Sequence, residues 1–198
     1  MNNFIERHLA VQYRTLLFPR DFYGEATFGF ECNDGWADVI EATLWLVQQR
    51  AKVSALDVRI TQAKEKFGQL RIYHSGGDES IDAAFDIAEL VSGCVCEMCG
   101  MPGGVKSVEG WLQARCSQHS APGQLVRVES PKSNENYIAS YVEAVDMIWS
   151  FFGTGAVHWV QEEGIAFAGR TPCEMLATEE GSQAISLLLK RLEHGVGV

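Results

Sequence analysis

The segment from residue 94 to residue 119 reads CVCEMCGMPGGVKSVEGWLQARCSQH and decides how the middle of the chain folds. Cys96 and Cys99 are spaced as the first half of a zinc knuckle, and Cys116 and His119 follow after sixteen intervening residues. Three thiolates and one imidazole at this spacing are typical of a tetrahedral Cys3His zinc site. Because all four positions are protein ligands, no position is left for a reacting water. We therefore expect a structural ion rather than a catalytic one.

A short hairpin is expected between the two halves of this knuckle. Glu109-Gly110 predicts a turn between strands over 105–108 and 111–115, which returns the second pair of ligands beside the first. Cys94 can replace Cys96 as a ligand, but the two-residue gap between Cys96 and Cys99 favours Cys96. We expect Cys94 to be a small buried thiol.

Apolar patterning predicts an α+β fold on the N-terminal side of the chain. Residues that alternate in polarity indicate strands with one buried face, and apolar residues at helical spacing indicate amphipathic helices. The predicted elements are, in order, a helix over 5–17, a strand over 26–32, a helix over 36–47 capped by Asp34, a hairpin with strands over 56–61 and 70–74 turned by residues 64–68, and a helix over 81–91.

The C-terminal side is predicted to be wholly helical. A stretch rich in Pro, Gly and polar residues over 120–136 indicates a boundary between a zinc-binding α+β domain, 1–130 with its knuckle at 94–119, and a helical domain, 131–198. A clear helical stripe covers 138–149. Thr171-Pro172-Cys173-Glu174 forms a capping box, and Thr178 caps a last helix. The apolar face of that helix is expected to comprise Ile185, Leu188, Leu189 and Leu192.

Composition limits the classes of function. With 26 acidic and 16 basic side chains, the chain has a net charge of −10, which disfavours a general nucleic-acid binder. Residues 131–198 hold nine acidic and four basic side chains, which favours a basic protein partner. We see neither an export signal nor a membrane span, so we expect a cytoplasmic location, where six reduced cysteines favour metal binding over disulfides.

Three motifs on the N-terminal side resemble an uncharacterised family of phage and bacterial proteins. They are FECNDGW at 30–36, KEKFGQLRIY at 64–73, and the knuckle with its Gly110-Trp111 pair. The resemblance covers roughly residues 26–120. It implies no particular activity.

The C-terminal side resembles the toxin-binding domain at the C-terminus of Xre/ParS-type antitoxins. The resemblance rests on Phe152-Gly153, AVHWV at 156–160, AGRTPCEML at 168–176, TEEG at 178–181 and LLKRLEHG at 188–195. Domains of that family bind and silence RES-type toxins, which consume NAD or transfer its ADP-ribose. They also self-associate, so the resemblance implies a homodimer.

The resemblance implies a non-enzymatic antitoxin that occludes the active site of its toxin with a C-terminal helix and tail. A helix that ends in glycine releases a short tail, which can enter a cleft. The residues implied in partner contact are Arg170, Arg191, Glu193, His194, Gly195, Val196, Gly197 and Val198.

Two alternatives remain for the N-terminal side. Members of the antitoxin family carry a helix-turn-helix domain there, and because this chain shows none we expect weak or no DNA binding. The first alternative is a zinc-ribbon regulator that binds nucleic acid, although only Lys106 and Arg115 supply cations inside the knuckle. The second is an enzyme that uses polar groups near the ends of the predicted strands, which are Glu31, Asp34, Asp57, Arg71 and His74.

Overall fold

The computed structural model describes residues 1–21, 28–120 and 134–195, and it has the mixed α+β character that the patterning predicts. Over these residues two small antiparallel sheets lie in the N-terminal half, and the chain from residue 134 onward is helical. The elements are, in order, α1 Asn3–Gln12, α2 Arg14–Leu17, α3 Ala37–Val53, β1 Arg59–Lys66, β2 Gln69–Ser75, α4 Glu79–Ser92, β3 Gly104–Val108, β4 Trp111–Arg115, α5 Glu135–Phe152, α6 Ala156–Trp159, α7 Pro172–Met175 and α8 Glu179–Glu193.

Both hairpins turn through two residues with positive φ. Phe67 and Gly68 have φ values of 56° and 78° between β1 and β2, and Glu109 and Gly110 have 52° and 86° between β3 and β4. Positive φ at both central residues is the geometry that matches the twist of the flanking strands. The turn predicted over 64–68 is therefore too long, because pairing of β1 continues to Lys66.

The region before α3 differs from its prediction. Over the described residues 28–32, in place of the strand expected over 26–32, Glu31 makes an isolated parallel bridge to Lys64. Residues 26 and 27 lie outside the described ranges. Asp34 begins a 3-10 turn instead of capping α3, and its carboxylate accepts hydrogen bonds from the backbone and side chain of Asn2. That contact is long-range, so local patterning could not reveal it.

Helix α3 lies at the centre of one apolar core. Trp36, Ile40 and Leu44 are completely buried, and the Trp36 indole donates a hydrogen bond to the Val95 carbonyl at 3.0 Å. Helix α5 packs against both α3 and α8, so the core continues from the sheets into the C-terminal helices. The boundary predicted over 120–136 falls largely on 121–133, outside the described residues, and the division into two domains stays a prediction.

The C-terminal helices begin where the sequence predicts. Thr171 and Glu174 form both hydrogen bonds of the capping box, and the Thr178 hydroxyl accepts from the Gly181 amide at 3.0 Å. The apolar face of α8 is shorter than expected. Ile185 and Leu189 are fully buried, whereas Leu192 is 45% exposed. None of the described helices is long and apolar enough to span a membrane.

Candidate metal centre and C-terminal surface

The four predicted metal ligands lie together in the structure. The ligand atoms of Cys96, Cys99, Cys116 and His119 are all within 4.8 Å of one another. The Cys99 and Cys116 sulfurs are 3.8 Å apart, and His119 Nδ1 lies 3.5 Å from Cys96 Sγ and 3.3 Å from Cys116 Sγ. This group has the donor atoms and the closeness that a single metal ion requires.

Local hydrogen bonds explain why the two halves meet. The amides of Cys99 and Gly100 donate to the Cys96 carbonyl, and the Cys96 amide donates to the Met101 carbonyl, which closes a tight turn around the first pair. Strands β3 and β4 pair antiparallel and bring Cys116 back beside that turn. The hairpin predicted over 105–108 and 111–115 is confirmed, one residue longer at its start.

A buried carboxylate, Glu97, joins this knuckle to the motif before α3. Glu97 and Arg115 are paired at 3.2 Å, and their side chains are only 5% and 10% exposed. The same Glu97 carboxylate accepts from the amide and the side chain of Asn33. A Cβ on Gly35 would lie 2.2 Å from the Cys96 carbonyl oxygen, so only glycine permits this approach. Asn33 and Gly35 of the sequence FECNDGW are thus explained by their contact with the knuckle.

The thiols of the cluster differ in acidity. Burial raises the pKa of the Cys99 thiol to about 12. Burial also acts on Cys116, but hydrogen bonds from His119 and Gln118 outweigh it and lower the pKa of that thiol to about 7. A bound cation favours the thiolate form of each ligand, so metal binding would release protons from this group.

Cys94 faces away from the metal cluster. Its sulfur lies 4.0 Å from the sulfur of Cys173, the second residue of α7, and it is absent from the cluster of ligand atoms found among the described residues. Cys94 is half-buried rather than fully buried. Sequence reasoning missed this pair, because 79 positions separate the two residues and no spacing rule connects them.

The cations of the knuckle are poorly placed for nucleic acid. Arg115 is buried against Glu97, and Lys106 donates to the Ser120 hydroxyl at 2.9 Å. Of these two cations only Lys106 is exposed to a phosphate backbone, which weighs against the zinc-ribbon alternative.

The candidate catalytic residues of the N-terminal side do not form one group. They have separate partners, in the pairs Glu31 with Gln62, Asp34 with Asn2, Asp57 with Arg20, Arg71 with Glu89, and His74 with Asp82. A catalytic set needs side chains that converge on one reacting atom. Pairing with five different partners offers no such arrangement.

The residues implied in partner contact lie on the surface as far as the structure describes them. Arg191, Glu193, His194 and Gly195 are exposed at the end of α8, and Gly195 has a φ of +67°. This left-handed residue ends the helix, as expected of a C-terminal glycine. Val196, Gly197 and Val198 lie outside the described residues. Arg170 is exposed on the loop before α7, and its Nε donates to the Phe167 carbonyl of the same loop. Among the described residues, no hydrogen bond or ion pair joins Arg170 to α8.

Exposed apolar side chains accompany these polar residues. Leu187 and Leu192 of α8 are 51% and 45% exposed, and Ile165 is fully exposed on the loop that Phe167 anchors in the core. The apolar stripe of α8 predicts that Leu192 lies in the core, and for this residue the prediction is wrong. The structure leaves Leu192 nearly half exposed at the end of α8, which pattern alone does not reveal.

Comparison with known proteins agrees with the C-terminal resemblance. Residues 151–195 match the family model described as the antitoxin Xre/MbcA/ParS C-terminal toxin-binding domain. The match begins at the end of α5 and finishes at the glycine that ends α8. No curated protein and no solved structure matches the chain.

Proposed function

We propose that this protein is an antitoxin that binds a RES-type toxin and neutralises it by placing the end of α8 and the following tail in the active site. The observation that carries the proposal is the match of residues 151–195 to an antitoxin toxin-binding domain. In this proposal the chain catalyses no reaction itself. The toxin consumes NAD or transfers the ADP-ribose of NAD, and the bound antitoxin inhibits it by sterically excluding NAD.

The surface at the end of α8 supports this mode of inhibition. Arg191 and His194 are exposed, and so is Leu192 between them. The end of α8 therefore offers a partner both polar groups, one of them the Arg191 cation, and apolar area. The negative phosphates of NAD imply a cationic substrate site in the toxin. The acidic Glu193 and a short tail of small residues suit such a cleft. Ordering the tail on binding costs entropy, but its contacts lie where the toxin must hold substrate.

Co-expression tests the proposal. The chain is produced with a RES-type protein from the same genome, and growth, cellular NAD and co-purification are measured. We expect a stable complex, normal growth and preserved NAD. Deletion of residues 191–198 should leave co-purification intact and abolish protection. Failure of the full chain to form a complex with any RES-type protein would refute the proposal.

A matched pair of variants sharpens the experiment. Glu193→Lys reverses the charge that suits a cationic cleft at the exposed end of α8, whereas Lys190→Ala removes a neighbouring charge whose ammonium contacts Glu143 of α5 at 2.6 Å. Under the proposal Glu193→Lys weakens inhibition, and Lys190→Ala leaves it unchanged.

We also propose that the ion of the Cys3His cluster is zinc with a structural role. Zinc lies about 2.3 Å from sulfur and about 2.0 Å from nitrogen, which gives tetrahedral edges of roughly 3.8 Å between sulfurs and roughly 3.5 Å between sulfur and nitrogen. The distances of 3.8, 3.5 and 3.3 Å in this cluster agree with those edges. His119 Nδ1 lies within 3.5 Å of the sulfurs of Cys96 and Cys116, so it is the nitrogen that would face the ion.

Metal analysis tests the zinc proposal. We expect one zinc per chain, a lower melting temperature after chelation, and loss of zinc in Cys116→Ser. Cys32→Ser is the control, because Cys32 is buried apart from the cluster. A metal-free chain that melts at the same temperature with and without added zinc would contradict a structural role.

Two further features complete the proposal. The toxin-binding region is proposed to form a homodimer, which sedimentation of the purified chain would detect. The protein is proposed to act in the cytoplasm, where reducing conditions keep its cysteines as the free thiols present in the structure.

A further inference from the structure

Two thiols outside the metal cluster face each other across the contact between the cysteine-rich segment and α7. The sulfurs of Cys94 and Cys173 are 4.0 Å apart, and both residues are half-buried, so a small reagent can approach them. Each backbone is held in place. The Cys94 carbonyl accepts from the Gly103 amide, and the Cys173 amide donates to the Val160 carbonyl, both at 2.9 Å.

We propose that Cys94 and Cys173 are a redox-modification site that a low-molecular-weight disulfide, such as glutathione disulfide, converts to an intramolecular disulfide. The thiolate of Cys173 attacks one sulfur of the reagent and releases one small thiolate, leaving a mixed disulfide on Cys173. The thiol of Cys94 then loses its proton and attacks the Cys173 sulfur, releasing the second small thiolate. Two protein thiols are oxidised, and one small disulfide is reduced to two thiols.

Geometry decides which thiol attacks first. The Thr171 hydroxyl lies 3.0 Å from Cys173 Sγ, and the Cys94 thiol donates to the same sulfur, so two hydrogen-bonding groups surround it. These hydrogen bonds, with Cys94 the larger contributor, lower the pKa of the Cys173 thiol below its usual value against the opposing effect of burial. The sulfurs must move from 4.0 Å to about 2 Å apart to form the bond.

The bond would join two distant parts of the chain. It would close a loop of 79 positions between the cysteine-rich segment and the capping-box helix of the C-terminal region. Cross-links that span long loops constrain the unfolded chain most, so the oxidised protein should be the more stable form. Disulfides in reducing compartments are usually transient and regulatory, which fits a reversible site.

Peptide mapping of the zinc-loaded full chain tests the site. The protein is treated with excess glutathione disulfide, and the linked peptides are identified by mass spectrometry without reduction. We expect a Cys94–Cys173 peptide as the main product, unchanged zinc content, reversal by dithiothreitol, and a melting temperature raised by about 10 °C. Cys32→Ser, the matched control, should give the same product.

Variants of the pair test the order of the steps. Cys94→Ser should accumulate the mixed disulfide on Cys173, and Cys173→Ser should show neither product. A mixed disulfide found on Cys94 in Cys173→Ser would overturn the assigned order. Zinc release with oxidation of the cluster thiols, or a wild-type chain in which Cys173 stays reduced, would overturn the site itself.

Discussion

Removal of the Glu97 carboxylate is expected to destabilise the protein strongly. The substitution Glu97→Ala leaves the Arg115 guanidinium 90% buried without its 3.2 Å partner and leaves the Asn33 side chain without its acceptor. A buried charge that loses its partner costs about 3–5 kcal/mol of the free energy of unfolding. Whole domains have only about 5–15 kcal/mol, so this is a large share.

Urea unfolding at saturating zinc measures that loss, with helix content followed by circular dichroism. Asp57→Ala is the control, because Asp57 pairs with Arg20 at 3.6 Å and both side chains are about four-fifths exposed, so screening by water leaves no measurable change. The double variant Glu97→Ala/Arg115→Met should recover much of the loss, since no uncompensated charge remains. A loss below about 1 kcal/mol in Glu97→Ala would refute the reasoning, because that is the size of an exposed pair.

Two other changes have definite expected results. Gly181→Ala would place a Cβ 2.0 Å from the Met175 carbonyl oxygen, so we expect urea unfolding to show a loss of about 1–3 kcal/mol in the free energy of unfolding. Gly155→Ala is the control and should be neutral, because open space surrounds that position. Equal effects of the two substitutions would contradict this packing. Burial raises the pKa of Asp38 from 3.8 to about 6, so the native state holds a proton that the unfolded chain releases, and stability falls as pH rises from about 4 to 6. Asp38→Asn should remove that pH dependence and add about 1 kcal/mol to the free energy of unfolding at pH 7. Melting temperatures measured across this pH range test the prediction, and a pH profile unchanged from that of the wild type would contradict it.

The metal cluster could be predicted because its chemistry depends on residue type and spacing. Cys96, Cys99, Cys116 and His119 form two close pairs, and the turn at Glu109-Gly110 is a local signal for the hairpin that joins them. The capping residues Thr171 and Thr178 could likewise be predicted, because each hydroxyl accepts a hydrogen bond from the amide three residues ahead. Such contacts span few residues, so the sequence contains all of their determinants.

The remaining features depend on long-range contacts. Asp34 accepts a hydrogen bond from the Asn2 amide instead of capping α3. Cys94 lies beside Cys173 instead of joining the metal cluster. Neither partner is marked by any periodic pattern. Leu192 shows the same limit for packing, because its stripe is apolar but the neighbouring helix does not cover it. Burial at a helix end is decided by tertiary structure, not by periodicity.

Inhibition of a RES-type enzyme is the most direct test of the central claim. NAD consumption by the purified toxin is followed while the full chain, or the chain lacking residues 191–198, is titrated into the assay. We expect activity to fall to zero near a stoichiometric amount of the full chain, and the truncated chain to bind but leave activity intact. Full NAD consumption at saturating amounts of the full chain would contradict it.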